Sequence, residues 1–189
     1  APWNEPGIIG KLLDAGAQGV IVPMVNSAEE AQAAVDACRY PPLGARSWGP
    51  SGAAPRLDDY FTVSSEQIAT IVMVETVEAL NNVEAIVNTP GVDAVYVGPA
   101  DLSISLGLKP GNNDDVAEFT DALHTIVAAC QNAGVVPGIH SSGTLTPLRL
   151  EQGFRMITVT ADNVAMNVGV QVELARARGE GAEGSNSMY

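Results

Sequence analysis

Two cysteines, two histidines, two lysines and 5% aromatic residues in a chain of 189 set the first limits on what this protein does. Cys38 and Cys130 stand far apart, each among apolar helical residues. That spacing excludes a disulfide framework and a zinc knuckle, and it predicts reduced core thiols. Basic residues are scarce: 9 against 22 acids, a net charge of −13. Such a surface repels phosphate backbones and anionic lipid, so nucleic acid and membrane surfaces are excluded as partners. The apolar runs are broken well short of the roughly 20 residues a membrane helix needs, and no basic stretch leading into an apolar one opens the chain. A cytoplasmic location is expected. Glycine-rich dinucleotide and phosphate loops, His-Glu-x-x-His and Cys-x-x-Cys are all missing, which removes nicotinamide enzymes, P-loop NTPases and zincins.

What is present is an alternation of short β-branched runs and helical periodicity. Asn4 is placed to cap a first helix with Pro6 in its opening turn and Ile8, Ile9, Leu12 and Leu13 on its apolar face; Gly16 ends it. Strand-like runs follow at Gly19–Val25, Thr70–Glu75, Asp93–Val97, Val135–Ile139 and Met156–Thr160, each leading into a helical segment. Ser27-Ala28-Glu29-Glu30 is a capping box. Val77, Leu80, Val83 and Val87 predict one helix, and Phe119, Leu123, Ile126 and Cys130 a longer one. The last helix is expected to run to about Arg178. From Tyr40 to about Ser65 turn residues dominate and no regular element is predicted. The pattern reads as an α/β fold with parallel strands, either a doubly wound sheet or a (β/α)8 barrel. Five strands are fewer than the eight a barrel needs. Residues 1–178 form one domain, and the low-complexity segment 179–189 is expected to be flexible.

The chemistry-bearing residues cluster at predicted strand ends. Glu75 closes the second strand, and Asp101 follows the third by the turn Gly98-Pro99-Ala100. Neighbouring βα units bring both acids to the C-terminal edge of the sheet, where active sites of parallel α/β proteins form. Two hard oxygen ligands there suit Mg²⁺ or Mn²⁺, while spacing alone leaves open that both acids cap the helices after them. The Gly-Pro turn offers free N–H groups to an anion. His140 ends the fourth strand; Arg46 sits in the long loop, placed to bind a carboxylate or to lie at a surface; His124 falls mid-helix.

These motifs together resemble the HpcH/HpaI aldolase/citrate lyase family, particularly the 2-oxo-3-deoxy acid aldolases. The resemblance is carried by Pro2-Trp3-Asn4-Glu5-Pro6, Leu12-Leu13-Asp14-Ala15-Gly16-Ala17, Val22-Pro23-Met24-Val25, Tyr40-Pro41-Pro42-Leu43-Gly44-Ala45-Arg46, Val74-Glu75-Thr76, Gly91-Val92-Asp93 and Val97-Gly98-Pro99-Ala100-Asp101-Leu102-Ser103. It implies a TIM barrel, here incomplete, and a class II retro-aldol cleavage of a 4-hydroxy-2-oxo acid to pyruvate and an aldehyde. It further implies a divalent metal (Mg²⁺, Mn²⁺ or Co²⁺), small-molecule 2-oxo acid and aldehyde substrates, and a homo-oligomer. By position, Glu75 and Asp101 match the metal ligands, Ala100 and Asp101 the substrate-carboxylate turn, and Met73 a substrate-contacting site that is Gln in some members. Asp14 matches an acid that raises the basicity of the catalytic His.

The family's His in an Asp-Gly-Glu-His segment, and its substrate-binding Arg, have no counterpart in these 189 residues. The chain therefore looks like such an aldolase without its first three strands, and impaired turnover is expected. Lys11 and Lys109 are not at strand ends, which argues against Schiff-base chemistry. Two other readings stand beside it: a non-catalytic binding or assembly module, and an enzyme like citrate lyase β or malyl-CoA lyase, for which the sequence shows no basic nucleotide patch.

Overall fold

The computed structural model describes residues 1–180. Its strands are β1 (Gly19–Val22), β2 (Ala69–Met73), β3 (Ala94–Val97), β4 (Val136–His140) and β5 (Met156–Thr158). All neighbours pair in parallel, in the order β1-β2-β3-β4-β5. That order decides between the two predicted architectures. A doubly wound sheet reverses direction at a switch point, whereas strands added one after another on the same side belong to a barrel. The sheet is a curled, incomplete barrel with β1 and β5 as its edges.

The helices are α1 (Pro6–Asp14), α2 (Ala28–Cys38), α3 (Tyr60–Gln67), α4 (Val77–Asn81), α5 (Val83–Val87), α6 (Pro99–Ser105), α7 (Ala117–Ala133), α8 (Thr146–Glu151) and α9 (Asp162–Ala177), of which α9 buries none of its residues. Val22, Val72, Val95, Val97 and Ile139 are fully buried and form one core with Ile9, Leu13, Ile86, Phe119, Leu123 and Ile126 from the helices. Cys38 and Cys130 are free and buried in that core; burial raises both thiols, that of Cys130 to about 12.

Four local expectations are corrected. Glu5, not Asn4, caps α1: its longer side chain reaches both Gly7 N–H and Ile8 N–H at 2.8 Å, leaving the Asn4 amide to donate to the Glu30 carbonyl. The helix predicted through Val87 breaks at Asn82 (φ −102°, ψ 7°), whose side-chain amide is drawn to the Asn26 carbonyl. The stretch 40–65 contains a short 3₁₀ turn at Ala54–Arg56 and most of α3. The fifth strand ends at Thr158, two residues early. The tail expected to be flexible lies, from residue 181 on, outside the described residues.

Candidate functional site

The C-terminal edge of the sheet gathers Met24, Glu75, the Gly98–Asp101 turn, His140 and Thr158. Glu75 follows β2 and is 2% exposed. It caps nothing, because Thr76 caps α4 through its Oγ1, which accepts from Ala79 N–H at 2.9 Å. Instead Glu75 Oε1 accepts from Met24 N–H at 2.8 Å. That amide comes from a left-handed residue, Met24 at φ 55°, uncommon for anything but glycine. The other oxygen, Oε2, faces Gly98 so closely that a methyl group there would overlap it. Gly98 is thus the residue that lets the third βα turn close against Glu75.

Asp101 lies in the first turn of α6, whose N-cap is Gly98. It is exposed where Glu75 is buried. Burial raises the Glu75 carboxyl above its ordinary value; the Met24 amide opposes that shift and the negative charge of Asp101 adds to it. Among the described residues no cluster of three or more His, Cys, Asp or Glu that could hold a metal ion forms. Met73 lies beside the two acids, paired with Tyr96 across the sheet, its methyl group against Gly98. Ala100, in the same first turn as Asp101, is exposed.

A second polar group spans the next strand tips. Tyr96 OH lies 3.3 Å from His140 Nδ1 and 2.5 Å from Thr158 Oγ1. His140 thus has one side-chain partner, Tyr96 OH, at the functional edge, whereas His124 is exposed on α7.

Asp14 is placed elsewhere. It ends α1 at the N-terminal edge of the sheet, the opposite end from Glu75 and Asp101, and ion-pairs with Arg46 at 2.7 Å. Arg46 does bind a carboxylate from the long loop, and it belongs to this chain. Its guanidinium is buried, donates to Tyr60 OH at 3.1 Å and lies 4.6 Å from the Tyr40 ring, against which Phe61 stacks and Trp48 packs tilted. Sequence reasoning missed this cluster; the density of Tyr, Trp and Phe around a single Arg was its signal.

A family model for HpcH/HpaI aldolase/citrate lyase matches residues 2–170. A hydroxypyruvate/pyruvate aldolase of Rhizorhabdus wittichii is 37% identical over 177 residues, covering 93% of this chain and 70% of the relative. A 4-hydroxy-2-oxo-heptane-1,7-dioate aldolase of Klebsiella pneumoniae is 38% identical over 179 residues, covering 92% and 67%. Among solved structures, a family member from Burkholderia cenocepacia superposes with a TM-score of 0.83 at 33% identity, covering 93% of this chain and 71% of that one. The chain belongs to the HpcH/HpaI aldolase/citrate lyase family. Its named relatives are aldolases, which places it among the aldehyde-lyases.

Proposed function

We propose that this chain carries the cation- and oxo-acid-binding part of a class II aldolase that cleaves a 4-hydroxy-2-oxo acid to pyruvate and an aldehyde. The observation that carries the reading is the Glu75 carboxylate: buried, held through one oxygen by Met24 N–H, and turned with the other toward the turn that bears Asp101. A carboxylate buried next to a like charge is unfavourable unless a cation joins them. Two hard oxygen donors suit Mg²⁺, Mn²⁺ or Co²⁺, whose remaining positions water and substrate oxygens would fill. When bound, such a cation supplies the Lewis acidity that draws negative charge from a 2-oxo acid.

The chain's own residues have distinct parts in this. Glu75 and Asp101 hold the ion. The first-turn N–H groups of α6 at Ala100 and Asp101, without intrahelical partners, receive the substrate carboxylate. Met73 supplies an apolar wall where a glutamine would have donated a hydrogen bond. The Tyr96–His140–Thr158 group presents hydrogen-bonding atoms to the remainder of the substrate. Asp14, at the far end of the sheet, takes no part at the Glu75–Asp101 centre of its own chain. Cleavage also needs a base for the C4 hydroxyl proton, and no Asp-Gly-Glu-His segment provides one here, so the 189 residues alone turn over weakly.

Calorimetric titration with Mn²⁺ and oxalate, a pyruvate-enolate mimic, tests the reading. Metal-dependent oxalate binding that disappears in Glu75→Ala is expected; absence of binding in both proteins rejects the site. The edge strands and the exposed apolar residues of α9 favour assembly with further copies of the chain.

A further inference from the structure

Asn26, in the loop between β1 and α2, uses both backbone groups and both ends of its side chain. Its N–H donates to Glu30 Oε2 at 2.6 Å, and its carbonyl accepts from Asn82 Nδ2 at 2.8 Å. Its Nδ2 donates to the Met24 carbonyl at 3.1 Å, and its Oδ1 accepts from Thr76 Oγ1 at 2.5 Å. Met24 and Thr76 are the two residues that bracket Glu75 in space: one donates to its carboxylate, the other follows it in the chain. The capping box also departs from its usual form. Ser27 Oγ accepts from Glu30 N–H, but the Glu30 carboxylate reaches back to Asn26 rather than to Ser27.

We propose that Asn26 is a positioning residue for Glu75. Its side chain bridges the Met24 carbonyl and the Thr76 hydroxyl, and so fixes the left-handed Met24 amide that orients the Glu75 carboxylate toward the Asp101 turn. This rests on the cation site proposed above. A left-handed conformation is strained for a non-glycine residue, and the Asn26 bridge supplies a local hydrogen bond that holds Met24 there. Without the bridge, Met24 relaxes, its N–H swings away, and Glu75 loses the partner that selects its rotamer. Hydrogen bonds that orient a metal ligand typically contribute about 10–100-fold to metal affinity.

The test is Mn²⁺ titration, read by the electron paramagnetic resonance of the free ion, on wild type, Asn26→Ala, Thr76→Val and Thr76→Ser. Amide exchange at Met24 is measured in the metal-free proteins. The expected result is Mn²⁺ affinity about tenfold or more weaker in Asn26→Ala and Thr76→Val, with faster Met24 exchange. Thr76→Ser, which keeps the hydroxyl, returns to wild type in both. A purely structural role moves melting temperature and leaves the Kd of the folded protein unchanged. If Asn26→Ala fails to fold, Thr76→Val carries the test through its Met24 exchange rate as well as its Mn²⁺ affinity, since it also removes the α4 cap at Ala79 N–H. Wild-type affinity in both Asn26→Ala and Thr76→Val overturns the positioning role alone. A wild type that binds no Mn²⁺ rejects the cation site and this role together.

Discussion

At the scale of single residues, the charge state of Glu75 links site and stability. Its carboxyl is raised in the folded protein by burial, so the fold binds that proton more readily than the unfolded chain does. The stabilisation from protonation is complete below the unfolded pKa and is lost as pH rises through the higher folded value. Near neutral pH the ionised side chain therefore costs stability when no cation is present. Glu75→Gln, neutral at every pH and still able to accept from Met24 N–H, is expected to melt higher than wild type near pH 7 in chelator. The difference should close as the pH falls to about 4, where the wild-type carboxyl is also protonated. Equal melting temperatures near pH 7 would show that burial does not burden this acid. Gly98→Ala probes the same place sterically. Its methyl would meet Glu75 Oε2, so Mn²⁺ binding is expected to weaken severalfold or more, read by the same titration, while the helical signal in circular dichroism stays.

At the scale of elements, the alternation of strands and helices was legible because most strands are rich in β-branched residues, and because Gly16 and Ser27 mark helix ends by their own chemistry. The candidate site was legible in part. Strand-end position named Glu75 and Asp101, but the Met24 amide that holds Glu75 was not visible, since left-handed geometry at a methionine has no sequence signature. The break at Asn82 was hidden for a similar reason: its side chain answers a loop 56 residues earlier. Arg149 is another long-range element device. Fully buried in α8, it pairs with both oxygens of Asp114 at 2.5 and 2.8 Å, and also donates to Asn112 and Gln152. It ties α8 to the loop after α6, the helix that bears Asp101. Removing one partner of a buried pair strands the other charge, at about 3–5 kcal/mol. Asp114→Ala is expected to lower unfolding free energy in urea by about that amount, and a loss below about 1 kcal/mol would assign the pair to the weak surface class.

At the scale of the whole molecule, α9 does not behave as the outer layer of a finished fold. None of its residues is buried, although Val164, Met166, Val168, Val170, Val172 and Leu174 are all apolar. Spaced at i, i+4 and i+8, Val164, Val168 and Val172 form one stripe; Met166, Val170 and Leu174 form a second, roughly opposite, with Asn167, Gln171 and Glu173 between them. A helix apolar on two sides is built to lie between two surfaces rather than on one. The net charge of −13 keeps such a chain dispersed without covering either stripe. Self-association through α9 is the expected state. Light scattering after size exclusion should give a mass above the 19.5 kDa of one chain, and Val168→Glu with Val170→Glu, one change on each stripe, should return it to that of a monomer. A wild type already monomeric at tens of micromolar would mean that both stripes tolerate water, and would leave α9 without any role in assembly.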